Sequence, residues 1–237
     1  MQAHNACLSF GDVDSKFPSA CPNAVHFWGV DAEPTAEELE AIIVEYRSRN
    51  ARRFFLHLSP TLHSSAQATF LKKAGLQIFR GTGYPTLVRP PSPVTPTDLT
   101  SSLSVREIDA EDVPRFRDAI CDVYEQPADK VAFLDDVGTE GARHFLAFKD
   151  DTPVAGAILY VSAGLGYLTN ARTHTAHRRQ GAQTLLINAR LEAGLEMGCD
   201  LFCSETLYLL KTSLANLQRA DFTVAYDKIV WEWRGMK

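Results

Sequence analysis

The sequence predicts an α/β protein of the α+β type, built on a mixed sheet. Three observations predict it. Between residues 103 and 237, strand-like and helix-like runs follow in the order β-α-α-β-β-β-α-β-α-β. In the middle of that order a strand passes through a basic turn with one glycine into a long helix with an apolar face. Residues 23–90 repeat the later part of the same order faintly, which predicts a partial second copy of the unit.

The bulk properties bound the reading. The chain has 237 residues, enough for one large domain or two small ones. Its 45% hydrophobic and 22% charged residues are those of a soluble globular protein. No apolar run approaches the roughly 20 residues of a membrane span. The first residues lack the basic and apolar regions of a signal peptide. Five cysteines, an odd number, form no Cys-x-x-Cys pair, so reduced cytoplasmic thiols are expected in place of disulfides or a zinc site. The net charge of -5 argues against a nucleic-acid surface. The expectation is a cytoplasmic protein with no metal, no membrane or nucleic-acid partner, and possible homodimer formation.

In the first half, Asn23 to Val30 reads as a strand. Thr35 starts a helix with Glu38 three residues on, a capping box, and Leu39, Ile42, Ile43 and Tyr46 form its apolar face. Residues 53–58 are a strand. Ser64 or Ser65 caps a short helix that Gly75 ends. Strands follow at 76–79 and 84–88. Residues 89–97 then hold four prolines in nine positions, a linker composition. The boundaries drawn are 1–90, a linker at 91–102, and 103–237.

In the second half, residues 103–108 are a strand, and Asp109 or Ala110 opens a helix with Val113, Phe116, Ile120 and Tyr124 inward. A second helix is expected from Ala128 to Asp136. Strands are expected at 143–148, 154–161 and 166–173. The turn that follows, Thr173-His174-Thr175-Ala176-His177-Arg178-Arg179-Gln180-Gly181, leads into the helix Ala182-Gln183-Thr184 onward, which Gly198 closes. A helix start leaves backbone N–H groups unpaired and carries partial positive charge. Gly181 lets an anion approach the backbone, and Arg178 and Arg179 add charge and forked donors. A strand at 200–205 and a helix capped by Ser213 precede the last strand, 222–233.

The turn lacks the two glycines and Lys-Ser/Thr of a nucleotide P-loop, and the three spaced glycines of a dinucleotide fold. It resembles motif A of the GNAT superfamily of N-acetyltransferases, Arg/Gln-x-x-Gly-x-Gly/Ala, in Arg178, Gly181 and the Leu185-Leu186 pair. Gln183 departs at the sixth position. The segment Ser213-x-x-Asn216-x-x-Arg219-x-Asp221-Phe222 is similar to the family's Ser-x-x-Asn-x-x-Arg-x-Gly-Phe, with Asp221 where glycine is usual. The element order agrees, so residues 103–237 resemble a whole GNAT domain and 23–90 the back half of a second. In the first half Asp31 and Glu33 stand where the arginines would be; that half reads as structural, or as a wall of the substrate cleft.

The resemblance implies acetyl-CoA as cosubstrate. It lies between two parallel strands, with the backbone around Thr173, His174 and Thr175 on the pantetheine arm. Residues 178–184 (Arg178, Arg179, Gln180, Gly181, Ala182, Gln183, Thr184) hold the pyrophosphate, and Asn216 contacts the arm; as a bare residue Asn216 reads equally as a solvated helix amide. The implied activity is N-acetyl transfer to a primary amine of a small-molecule or peptide acceptor by direct attack. Glu205 at a strand end is the candidate base, with a surface carboxylate the competing reading. His174 and His177 are candidates of lesser standing. The family's usual tyrosine falls on Leu217, leaving Tyr208 or Tyr226 as substitutes or no acid at all. Cys203 reads as core. Residues 103–237 hold 15 basic and 20 acidic residues, ten of the acids between Asp109 and Glu140; this is an acidic rim for a cationic amine or a solvated helix face. A non-catalytic acyl-CoA-binding or regulatory protein on the same fold is the alternative function.

Overall fold

The computed structural model describes residues 2–3, 6–10, 23–26, 28–29, 32–58, 60–79, 83–94 and 102–235. The chain divides into two compact units, Met1–Tyr84 with Tyr226–Lys237, and Pro85–Ala225.

The first unit carries β1 (Gln2–Ala3), β2 (Ala6–Ser9), β3 (Ala24–His26), α1 (Ala36–Ser48), β4 (Arg53–Leu58), α2 (Ser65–Lys73), β5 (Leu76–Ile78) and the end of β12 (Thr223–Arg234). β3 and β4 run parallel; β12 pairs antiparallel with both β4 and β5. α1 forms where expected. Thr35 and Glu38 make the reciprocal capping box, and Leu39, Ile42, Ile43 and Tyr46 are its buried face. That face packs on Phe54, Leu56, Leu58, Trp231 and Trp233. Ser64 caps α2. The strand expected at 23–30 is only Ala24–His26, because the chain turns at Trp28–Gly29. Val30 and Asp31 lie outside the described residues, as do 95–101 of the expected linker.

The second unit carries β6 (Tyr84–Arg89), β7 (Leu103–Ile108), α3 (Val113–Tyr124), β8 (Ala142–Lys149), β9 (Thr152–Ser162), β10 (Leu165–Thr173), α4 (Ala182–Glu196), β11 (Leu201–Glu205) and α5 (Lys211–Arg219). β7, β8, β9 and β10 pair antiparallel in sequence, β10 and β11 pair parallel, and β6 closes antiparallel on β11. Alternation splits the sheet into two faces. Phe145, Ala157, Leu159, Leu168 and Phe202 pack under α4. Leu146, Phe148 and Ile158 pack under α3 with Phe116, Ile120 and Tyr124.

Three expectations need correction here. The helix expected at 128–136 is two single 3₁₀ turns, Ala128–Lys130 and Ala132–Leu134. Val131 between them is extended, and neither turn has a side-chain cap. Ser213 lies inside α5 and does not cap it; its hydroxyl accepts from Thr206 Oγ1 at 3.0 Å. The unit boundaries also differ from 1–90 and 103–237. β6 belongs with β11 in the second unit, while residues 226–237 complete the first. Arg89 ties the start of the proline stretch down, donating to the carbonyls of Pro90, Ser92, Pro93 and Ala220.

Candidate active site

The site is built where two parallel strands part. β10 and β11 are in register from Leu165↔Leu201 to Leu168↔Ser204. Immediately beyond, the register of β10 against β9 shifts between Thr169 and Arg172, a β-bulge, with Asn170 left-handed at φ +49°. β10 runs on to Thr173 past the last pair with β11. Its backbone along 169–173 therefore borders an opening at the carboxyl ends of the two strands.

The turn above that opening has the conformation an anion site needs. His174 N–H is fixed to the Val154 carbonyl at 2.9 Å, and Nδ1 of His174 accepts from Ala176 N–H at 3.3 Å to start the 3₁₀ turn Thr175–His177. Arg178 is extended, Arg179 left-handed at φ +63°, and Gly181 left-handed at φ +89°. An extended residue followed by a left-handed one makes a turn, and turns of this kind can aim backbone N–H groups at an anion. Gly181 caps α4 with no side-chain hydrogen bond, and the helical ladder begins with Leu185 N–H to Gly181 O at 3.2 Å. The N–H groups of Ala182, Gln183 and Thr184 precede that ladder.

Gln183 is tied to the end of β10. Its amide folds back to donate to Thr173 Oγ1 at 2.9 Å, and Arg178 Nε reaches the Thr173 carbonyl at 3.4 Å. Glu125, left-handed at the end of α3, accepts from Thr175 and from Arg172. Those two contacts, Thr175 first, hold its carboxyl below the usual carboxylate range.

Below the opening, on the α3 face of the sheet, Tyr160, Tyr167 and Cys203 stand in one row across β9, β10 and β11. Glu205 follows Cys203 by two positions, so it shares that face at the end of β11. Thr86 Oγ1 on β6 donates to Glu205 Oε1 at 3.3 Å. Burial, then the Glu205 charge, pushes the Cys203 thiol up to about 11. The thiol therefore stays protonated at neutral pH. The same two causes raise the Tyr167 hydroxyl. Burial, then a hydrogen bond with Asp136, raises that of Tyr160. Asp136 also meets His144 Nε2 at 3.0 Å; burial outweighs this contact and lowers the His144 pKa.

The predicted turn residues, Thr173 through Thr184, come together around the start of α4. Glu205 stands at the strand end as expected. Asn216 is on α5 with its Oδ1 accepting from Arg219. Tyr208 lies 42% exposed in the loop after β11, and Tyr226 is equally exposed at the start of the part of β12 that belongs to the first unit. Leu217, at the family's tyrosine position, is buried in the α4-face core. Sequence reasoning missed the Tyr160–Tyr167 pair, Asp136 and Glu125. It also passed over Arg190, although Arg190 lies one turn after Leu186 on the buried face of α4.

A mixed sheet with a parallel pair parted over an uncapped helix start defines an acyl-CoA acyltransferase-type fold. Residues 104–219 match the family model described as Acetyltransferase (GNAT) family. Residues 104–219 are therefore a GNAT acetyltransferase domain. The structure is similar to a GCN5-related N-acetyltransferase from Kribbella flavida (17% identity, TM-score 0.62, 84% of this chain and 75% of that one). It is similar also to one from Sphaerobacter thermophilus (10% identity, TM-score 0.65, 89% and 71%). A tandem GNAT protein from the clavulanic acid biosynthesis pathway, without AcCoA, has 14% identity and TM-score 0.62 over 85% and 70%, and supports the partial repeat. No curated protein matches the sequence.

Proposed function

We propose that the protein transfers the acetyl group of acetyl-CoA to a primary amine of a small-molecule or peptide acceptor. The observation that carries this reading is the left-handed Gly181 start of α4, which no side chain caps, beside strands β10 and β11 parting above Glu205. The chemistry of the donor set fits an acyl-CoA. Backbone N–H groups of residues 182–184 and the guanidinium of Arg179 would hold a pyrophosphate. The edge of β10 at 171–173 that β11 does not pair would meet an extended amide-bearing arm. Such a donor supplies an activated thioester.

The chain's own residues then handle the acceptor. An ammonium must lose a proton before it can attack, and Glu205 is the carboxylate on that face at the strand end. Its Oε1 is oriented by Thr86. Tyr167 lies beside it on β10 and Tyr160 one strand further on β9, with hydroxyls that burial keeps protonated. Asp136 adds negative charge on the same face, which favours a cationic acceptor.

A second reading, a non-catalytic acyl-CoA-binding protein, is favoured by one observation: the position of the usual acid is the core residue Leu217. Release of CoA thiol from acetyl-CoA across a panel of primary amines separates the two. Amine-dependent release supports transfer. Binding of acetyl-CoA without release in any amine supports the second reading.

A further inference from the structure

Strand β10 is gripped from both faces of the sheet at the point where it leaves β11. From the α3 face, the Tyr124 hydroxyl donates to the Asn170 carbonyl at 2.7 Å. From the α4 face, Arg190 Nη1 donates to the Thr169 and Ile158 carbonyls at 3.3 and 3.2 Å, and Nε to the Leu186 carbonyl at 2.9 Å. Both side chains are buried. Burial raises the Tyr124 hydroxyl, which keeps it a donor, and pulls the Arg190 guanidinium down to about 9, still charged at neutral pH. A charge this deep is retained at a cost in desolvation, and here its N–H groups are spent on backbone carbonyls.

Gly156 completes the arrangement. It lies on β9 opposite Arg172, at the edge of the bulge. A Cβ there would stand 3.1 Å from the Tyr124 hydroxyl and 3.2 Å from Cε2 of its ring. Bare backbone at 156 therefore lets the phenol cross β9 to reach Asn170. A bulge takes carbonyls out of the ladder, and buried carbonyls need donors. Tyr124 and Arg190 are those donors. Without them the alternative open to β10 is to straighten and continue its pairing with β11, which would close the opening.

We propose that Tyr124, Arg190 and Gly156 are positioning residues that lock the β10 bulge and so hold β10 and β11 apart for the arm of an acyl-CoA donor. This rests on the acyl-CoA reading of the site. The test is calorimetric titration of the full chain with acetyl-CoA and with adenosine 3′,5′-bisphosphate, which has a nucleotide but no arm. The variants are Tyr124→Phe, Gly156→Ala and, as a packing control on the same helix, Phe116→Leu. Tyr124→Phe and Gly156→Ala should each weaken acetyl-CoA about tenfold, the effect of leaving one buried carbonyl unpaired, and leave the bisphosphate unchanged. Phe116→Leu should lower Tm and change neither affinity. If Gly156→Ala does not fold, Tyr124→Phe decides. Wild-type acetyl-CoA affinity in Tyr124→Phe, or an equal loss in Phe116→Leu, overturns the lock. A wild-type protein that binds no acetyl-CoA overturns the donor reading, and the lock with it.

Discussion

Substituting Gly181 separates backbone shape from charge at the start of α4. The residue sits at φ +89°, where a side chain is strained. Asn and Asp bear the left-handed region better than other residues, at a shared cost of about 1 kcal/mol. They have the same size, and any capping they add is similar, so Gly181→Asn and Gly181→Asp differ in one charge. Two unit charges about 6 Å apart, at an effective dielectric of about 20, interact by about 3 kcal/mol. A carboxylate at 181 against a pyrophosphate held by the N–H groups of 182–184 therefore weakens binding by about a hundredfold. Calorimetry with acetyl-CoA should find Gly181→Asn within about tenfold of wild type, in line with the strain term. Gly181→Asp should lie about two decades below Gly181→Asn at low salt, with the gap narrowing as salt screens the repulsion. Equal affinities for the two variants at low salt would refute the reasoning, because no phosphate could then sit at this helix start.

Three further outcomes are expected. Glu205→Gln keeps the Thr86 contact but removes the base, so turnover should fall roughly 10²–10⁴-fold with acetyl-CoA affinity unchanged; a change under about threefold would make Glu205 a structural carboxylate. His57 on β4 stacks on His26, both its ring nitrogens are buried without a hydrogen bond among the described residues, and burial first, then Lys228, lowers its pKa to about 2. It takes up a proton near pH 6.5 only when unfolded, so stability is lost as pH falls below that value, by about 1–2 kcal/mol at pH 5; thermal melts at pH 7 and 5 should show a smaller drop in His57→Leu, and an equal drop would contradict this. A fragment ending at residue 90 lacks Trp231 and Trp233, both buried in the first unit's core, so its amide spectrum should be undispersed; in the full chain Trp231→Ala should cost about 3–5 kcal/mol of stability by denaturant titration.

What the sequence made legible was local. The α1 capping box depends on residues three apart, and the apolar faces of α1 and α4 on helical spacing, so all three could be read directly. The turn through Gly181 was legible for the same reason: a left-handed glycine, two arginines and a helix start lie within a few residues. The failures were tertiary. Nothing near β6 shows that it pairs with β11, or near residues 229–234 that they pair with β4, because one short apolar strand fits many sheet edges. The 128–136 segment, expected as a helix, is two 3₁₀ turns with Phe133 buried in the core on the α3 face. Tyr124 looked like a core residue on α3. Its contact with Asn170 spans 46 residues, and the bulge that makes Asn170 need a donor has no sequence signature.

The two units treat the same structural slot in opposite ways. In each, a helix follows the first of two parallel strands: α1 between β3 and β4, α4 between β10 and β11. Sequence reasoning looked to Asp31 and Glu33 to make the first slot hostile to phosphate. Asp31 is outside the described residues, and Glu33 is exposed. What closes the slot is the helix start itself. Thr35 is extended and its Oγ1 accepts from Glu38 N–H at 3.2 Å. Glu38 Oε2 in turn accepts from Thr35 N–H at 3.1 Å and from the buried Trp28 Nε1 at 3.1 Å. The N–H groups of Thr35 and Glu38 are thus already paired, and a carboxylate sits at the helix start. At α4 a left-handed glycine leaves the corresponding donors without any side-chain cap. A helix dipole and its terminal N–H groups are common to both starts; the residue at the cap decides whether they serve the fold or a ligand. On this ground the acyl-CoA donor site is proposed for the second unit, where the helix start carries no side-chain cap.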